Sequence, residues 1–488
     1  MTANRIVAGV DSSTQSCKVE LFDLDTGHRI GGGAAPHPAV HPPTSEQDPE
    51  TWWLAFLDAF GRALTDADVA PSAVVGLSVA AQCHGLVVLD EADRVIRPAK
   101  LWNDTTSAED IARLRRDIGD ATLVGRLGTL PTSAFTLGKL AWLARVEPSA
   151  LARTAHILLP HDYLTFRLTG RRVTDRSEAS GTGYFDAETN EYLPGFLARI
   201  DPDREWAPLL PEVLGPDEAA GPVVGSACEL LGLSPDVVVG AGGGDQHAAA
   251  LGLGITGGDV VYSFGTSGVV SALSRVPVRD PTGAVDGVAD MTDGWMPLAS
   301  TLNAARTTDT FARLLGTGHD EFARLALAAD PRRAPVLAPY LDGERTPDLP
   351  GAVGILAGIT TETSREDVAF AAHEGVVLGL VRGQRHLERM GVAVDGRTLA
   401  VGGGARSPAY RQVLADATGT PVAVTDVSEA TARGAAVQAA AVATGSPVSV
   451  VRDAWAPSST VVAGPRPEAV DRRAAFEAVT SIRSLDRS

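Results

Sequence analysis

Residues 237–254 read VVVGAGGGDQHAAALGLG. The apolar run Val237–Val239 ends in three consecutive glycines, Gly242–Gly244, and then a single carboxylate, Asp245. Glycine removes side chains and permits backbone angles closed to other residues, so the pattern predicts that something approaches the main chain closely here. The carboxylate then faces whatever arrives. How the chain divides around this stretch decides the fold.

Similar orders of elements lie on either side of it. Strands at 5–10 (RIVAGV), 17–22 (CKVELF) and about 28–34, joined by the turns DSSTQS and DLDTG, predict a three-stranded meander. In the helix that follows, Asp48 can cap, Pro49 suits the first position, and Trp52, Phe56 and Phe60 recur at helical spacing as core residues. Strands at 73–79 and 85–89 come next. After Asp245, strand 258–264 (GDVVYSF), turn GTSG and strand 269–273 (VVSAL) repeat the opening. Ser364 and Asp367 have capping-box spacing for a helix over about 365–390. Strand 398–401 (TLAV) runs into GGGARS, with Ser407 as the expected cap of the next helix. The expected organisation is two α/β halves, 1–246 and 247–488.

A chain of 488 residues is long enough for two or three domains, and 44% hydrophobic with 21% charged residues is the composition of a soluble globular protein. A formal net charge of -18 excludes a basic surface for nucleic acid. The cysteines, Cys17, Cys83 and Cys228, are odd in number and far apart, so a disulfide framework and a CxxC metal site are both excluded. MTANRIVAGVDSS lacks the apolar core of a secretory signal. The uncharged stretch 434–451 is interrupted by Gln438, Thr444 and Gly445-Ser446-Pro447, which argues against a membrane span. A cytoplasmic location is expected.

Three turns rich in glycine or hydroxyls stand at strand ends: DSSTQSCK (11–18), SFGTSG (263–268) and VGGGARS (401–407). Successive backbone N–H groups and hydroxyls in such turns can cradle phosphate oxygens, and three of them in two halves are more specific than one hairpin turn. No Walker A pattern occurs. GLGITG at 252–257 satisfies GxGxxG, but a helical segment precedes it and a strand follows, the reverse of a dinucleotide site. His37 and His41 have helical metal-pair spacing, yet Pro36, Pro38, Pro42 and Pro43 forbid the helix. Cys83 and His84 are adjacent on an extended segment and point to opposite faces, so they do not form a nucleophilic pair, although His84 can still face a ligand.

These parts point to phosphoryl transfer. Nucleotide phosphates sit between the turns, Asp11 holds Mg²⁺ largely through waters, and Asp245 meets the acceptor hydroxyl. Its reference pKa of about 3.9 would make Asp245 a weak base.

The segments DSSTQSCK, SEQDPETWW, AQCHGLVVLD, ILLPHDYLTFRLTG, GGGDQ, SFGTSGV, YLDGERTP and VGGGARSPAYRQVLAD, in this order over nearly the whole chain, resemble the FGGY carbohydrate kinases. The resemblance implies an actin-like ATPase fold of two ribonuclease H-like domains, the first for sugar and the second for nucleotide, with an interdomain cleft. It implies ATP and Mg²⁺ as cosubstrates, and a sugar acceptor, with the 5-hydroxyl of D-xylulose expected. By position, Asp245 matches the catalytic base. Asp11, Thr14, Gln15 and Ser16 match the first phosphate loop, Gly265 and Thr266 the second, and Gly403, Gly404 and Ala405 the adenosine side. Cys83, His84, Trp102, Asn103, Asp104 and Gln246 fall beside the sugar, whereas Arg345 in YLDGERTP is read as structural support.

The chain departs from residues common among the family's xylulose-directed members. Cys83 stands in place of Met, Gln246 in place of Asn, Thr105-Thr106 where Arg is frequent, and Ser12-Ser13 in place of a residue-glycine pair. Ribulose, L-xylulose and erythritol therefore stay open as acceptors, and an actin-like ATP switch remains the competing class. The sequence leaves the choice between monomer and homodimer open.

Overall fold

The computed structural model describes residues 5–483. Two compact units divide the chain: the first runs to Ile255 and regains Val288–Trp295 and Val427–Pro457, and the second holds Thr256–Gly287, Met296–Asp426 and the chain from Ser458. The expected division at residue 246 falls inside the helix Asp245–Gly252. That helix packs on the helix Ala430–Thr444, so both belong to the first unit.

In the first unit the predicted meander forms. The strand Ile6–Ser12 pairs antiparallel with Ser16–Asp23, which pairs antiparallel with Arg29–Pro36. On its other side Ile6–Ser12 runs parallel to Val74–Ala81, then come Val238–Gly240 in parallel and Ala219–Pro222 antiparallel. The second unit repeats this path. Val260–Phe264 pairs antiparallel with Gly268–Ala272, and that strand antiparallel with Trp295–Thr301. Thr398–Val401 and Val422–Thr425 continue the sheet in parallel, and Ser459–Ala463 closes it antiparallel. Each half therefore uses the same order of pairings.

The strand Ile6–Ser12 is buried along its whole length because helices cover both faces. Alternation sends Ile6, Ala8 and Val10 into the core that holds Trp52, Phe56 and Phe60 of the helix Pro49–Ala67. Burying each such aromatic contributes about 1.5–3 kcal/mol. Asp48 caps that helix through the Glu50 amide, with Pro49 in its first turn, as expected. Val7 faces the other way, into the cluster of Ala435, Ala436 and Ala439, and the period of two puts Asp11 on that same face. Here helices pack almost backbone to backbone. A Cβ on Gly434 would stand 1.8 Å from the Ala248 carbonyl oxygen, which makes glycine obligatory at this crossing.

Among the described residues no single helix is long and apolar enough to cross a membrane; Ala430–Thr444 and Val448–Ala454 pass such a test only together and are bent by 120° at their junction. In the second unit Ser364 and Asp367 form the expected capping box of the helix Arg365–Arg389. In the YLDGERTP segment, Glu344 accepts from Thr301 and Asn303, and Arg345 lies 3.4 Å from Asp286, a bracing role that fits the sequence reading.

Candidate active site

The strand Ile6–Ser12 delivers Asp11 at its buried end, and a tight turn follows in which the Ser13 amide donates to the Ser16 carbonyl. The Ser13 hydroxyl donates to Asp11 Oδ1 at 2.6 Å. Burial pushes the Asp11 carboxyl up to about 6, against the pull of the Ser13 bond and the Lys18 charge. Lys18 is itself tied to Glu429 at 2.6 Å. Gln15 is exposed at the tip of the turn, and its carbonyl accepts from the His37 amide. Thr14 heads a chain of polar contacts. Trp102 Nε1 donates to Thr14 Oγ1 at 2.9 Å, Thr14 Oγ1 to Gln82 Oε1 at 3.2 Å, and Gln47 Nε2 to the Thr14 carbonyl at 3.0 Å. Trp52 Nε1 anchors Gln47 from the core at 2.7 Å. The indole of Trp102 is thus oriented while its ring stays 43% exposed, an arrangement that offers an apolar face to a ligand.

Asp245 opens the helix Asp245–Gly252. Cys83 Sγ donates to Asp245 Oδ1 at 3.3 Å and the Gln246 amide to the same oxygen at 2.7 Å. Burial, and then the charge of Asp11, push this carboxyl up to about 7. Asp245 is therefore not the weak base its reference pKa suggests but one poised near neutral pH. Its ionised form is the disfavoured one in the folded state. The unfolded chain ionises near 3.9, so a stability penalty grows as pH rises from about 4 and is complete above about 7. Asp245→Asn is accordingly expected to raise Tm at pH 8, with the gain shrinking toward zero near pH 4, as calorimetry at the two pH values will read.

The glycines before Asp245 allow a close approach to the main chain, as expected. Gly243 and Gly244 are buried and pair with Val74–Ala81. A Cβ on Gly244 would lie 2.5 Å from Glu178 Oε2 and 2.7 Å from Cys83 Sγ. The close approach seen here is by the protein's own side chains.

His84 follows the strand Val74–Ala81 in the left-handed region, at φ 62°. Its amide donates to the fully buried Glu178, its Nδ1 lies 3.3 Å from Glu178 Oε1, and its ring stacks on Phe135 at 4.9 Å. Burial alone would raise Glu178; the His84 ring and amide outweigh it and hold the carboxyl below its ordinary value. Sequence reasoning missed Glu178 and His247. Asp175, which caps the turn Arg176–Ala179 by accepting from the Ser177 and Glu178 amides, is the available signal, since it fixes Glu178 in the interior.

The predicted sugar-side residues separate into two groups. Cys83, His84, Trp102, Asp245 and the exposed Gln246 retain accessible surface. Asp104 is fully buried, and its oxygens take Lys100 at 3.0 Å, the Ser45 amide at 2.9 Å and the Thr106 amide at 3.0 Å. The structure thus removes Asp104 from direct contact and makes it a brace for the Trp102 loop. Asn103 beside it is half-buried.

In the second unit, Phe264, Gly265, Thr266, Gly403, Gly404 and Ser407 line a cavity of about 500 Å³. Its inner wall is an aromatic cluster: the Phe264 and Tyr410 rings are tilted at 4.7 Å, and His373 meets Tyr410 edge-on, also at 4.7 Å. Gly402–Gly404 lead into the short helix Gly403–Arg406, where Ala405 is buried beneath the loop. Ser407 holds the N-cap position of the helix Pro408–Thr418, but its hydroxyl makes no capping bond and has no hydrogen-bond partner among the described residues, contrary to the capping expectation. An aromatic-walled cavity rimmed by glycine loops suits a flat heterocycle bearing phosphates.

The family models of the FGGY carbohydrate kinases match this chain, the N-terminal domain over residues 6–252 and the C-terminal domain over 260–443. The chain belongs to the FGGY family of carbohydrate kinases. The xylulose kinase of Streptomyces coelicolor is 40% identical to this kinase over 481 residues, covering 98% of this chain and 96% of that one. The crystal structure of xylulose kinase from Bifidobacterium adolescentis matches with a TM-score of 0.85 at 36% identity, over 98% of this chain and 99% of that one. That from Rhodospirillum rubrum matches with 0.87 at 26%, over 98% of each chain. The kinase has the two-domain FGGY fold of the actin-like ATPase class, built on the repeated sheet described above.

Proposed function

We propose that this kinase transfers the terminal phosphate of ATP to the 5-hydroxyl of D-xylulose. The observation that carries the reading is Asp245, a carboxyl held near 7 and hydrogen-bonded by Cys83, in a chain 40% identical to a xylulose kinase over nearly its full length. The first unit holds the sugar, with His84, Trp102, Gln246 and Asp245 in contact and Cys83 fixing the Asp245 carboxylate. The second unit holds the adenosine against Phe264 and Tyr410, with Gly265, Thr266, Gly403 and Gly404 along the phosphates and Ala405 supporting that loop. In the first unit, Thr14, Gln15 and Ser16 form the turn that the family resemblance assigns to phosphate.

Cys83 and Gln246 both donate to Asp245 Oδ1, so Oδ2 is the oxygen that meets the acceptor. The alcohol oxygen forms its bond to the terminal phosphorus while the bond to the bridging oxygen of ADP breaks, and Asp245 takes the hydroxyl proton late in that step. Asp11 is a hard oxygen donor whose one described hydrogen bond goes to Oδ1, which fits Mg²⁺ held through water. Mg²⁺ there supplies neutralisation of phosphate charge. The kinase acts on these two small molecules in the cytoplasm.

ADP release measured with D-xylulose, D-ribulose, L-ribulose, L-xylulose, erythritol and glycerol tests the acceptor. D-xylulose is expected to give the highest kcat/KM, and a higher value for any of the others overturns the assignment. An actin-like switch would hydrolyse ATP without response to any of them.

A further inference from the structure

Three donor atoms of different chemistry converge behind Asp245. The point that a Cβ of Gly244 would occupy lies 2.5 Å from Glu178 Oε2, 2.6 Å from His247 Nδ1 and 2.7 Å from Cys83 Sγ. Ligating atoms of the three residues lie within 4.8 Å of one another. Glu178 is fully buried and His247 is 4% exposed. Glu178 Oε2 and both ring nitrogens of His247 have no hydrogen-bond partner among the described residues. A buried polar atom left unpaired costs about 1–3 kcal/mol, so three such atoms in two neighbouring residues point to an occupant that draws on them together.

A water molecule would use the oxygen and a nitrogen but gain little from sulfur. One sulfur, one nitrogen and one carboxylate oxygen are instead the donor set of zinc-class ions, and a thiolate disfavours Mg²⁺ and Ca²⁺. His247 is buried, and neither of its ring nitrogens is engaged by another described residue, so one is available for coordination. Cys83 and Asp245 keep accessible surface, which supplies a route in from the sugar side.

We propose that Cys83, Glu178 and His247 bind a thiophilic divalent cation of the zinc and cadmium class, and that its binding inhibits phosphoryl transfer. On coordination the Cys83 thiol releases its proton to solvent, and its hydrogen bond to Asp245 Oδ1 is lost. With the thiolate and the Glu178 carboxylate on the ion the site is neutral overall, one unit less negative than before, and Asp245, without the donor that fixed it, holds the acceptor hydroxyl less firmly. This inhibitory consequence rests on Asp245 being the base; the binding itself does not.

Cadmium titration of the full chain, freed of metal by chelator and without ATP or sugar, tests the binding through thiolate-to-metal absorption in the ultraviolet. One equivalent is expected, retained in Cys228→Ser, lost in Cys83→Ser, and weakened on the order of tenfold or more in His247→Gln. Absorption that persists in Cys83→Ser, or that disappears in Cys228→Ser, overturns the site. X-ray absorption of the zinc-loaded wild-type chain reads the same claim without a variant. A shell with one sulfur at about 2.3 Å supports it, and a shell of nitrogen and oxygen alone overturns it. Zinc added at fixed Mg²⁺ is expected to abolish turnover reversibly, with recovery on chelation. Cadmium binding at Cys83 with turnover unaffected would overturn the inhibition and count against Asp245 as the base, while leaving the site in place.

Discussion

Asp245→Asn is expected to lower kcat about 100- to 10,000-fold, with far-UV circular dichroism and the Kd for ATP unchanged. Asparagine keeps the shape and can still accept the Cys83 and Gln246 hydrogen bonds at Oδ1, so the local geometry survives. What disappears is the capacity to take a proton. The carboxyl is raised to about 7 first by burial and then by the Asp11 charge, so its proton affinity suits an alcohol whose proton departs late. Rapid-quench measurement of the chemical step separates this loss from any change in product release. Turnover within a few-fold of wild type would remove Asp245 from the mechanism.

Gly434→Leu is expected to cost more than about 3 kcal/mol and to yield little soluble protein. The clash is with backbone: a Cβ at 434 would stand 1.8 Å from the Ala248 carbonyl oxygen. No side-chain rotation relieves it, and the two helices have to separate. The helix Ala430–Thr444 packs on both Ile6–Ser12 and Val74–Ala81, so the separation would reach the strand that carries Asp11 and the one that leads into Cys83. Gly379→Ala is the control, since a Cβ at that position meets nothing within 4 Å. Thermal unfolding of the two variants should differ widely, and equal Tm values would contradict this account of the crossing.

The two-part architecture was legible because both halves announce themselves locally. RIVAGV-DSSTQS-CKVELF and GDVVYSF-GTSG-VVSAL each carry the alternation and turn chemistry of a hairpin, and both hairpins form. The first unit's reach was not legible. The helix Ala430–Thr444 belongs with strands more than four hundred residues earlier, and alanine and glycine spacing says that a helix is tightly packed without saying against what. The site divides along the same line. Asp11, Asp245 and the glycine loops stand at strand ends, where local pattern is informative. Glu178 and the fate of Asp104 depend on burial, which no local pattern states: Asp104 looks like its neighbour Trp102 in sequence, yet Lys100 and Ser45 occupy its oxygens. The basicity of Asp245 is likewise a product of the fold, since desolvation and a second carboxylate raise it.

The pH dependence of kcat/KM for D-xylulose tests the central claim most directly. The base must be ionised to act, so activity should fall below a break near 7, and more steeply below about 6, where Asp11 is protonated as well. A profile that stays flat from pH 8 down to pH 5 would contradict a base held at that value.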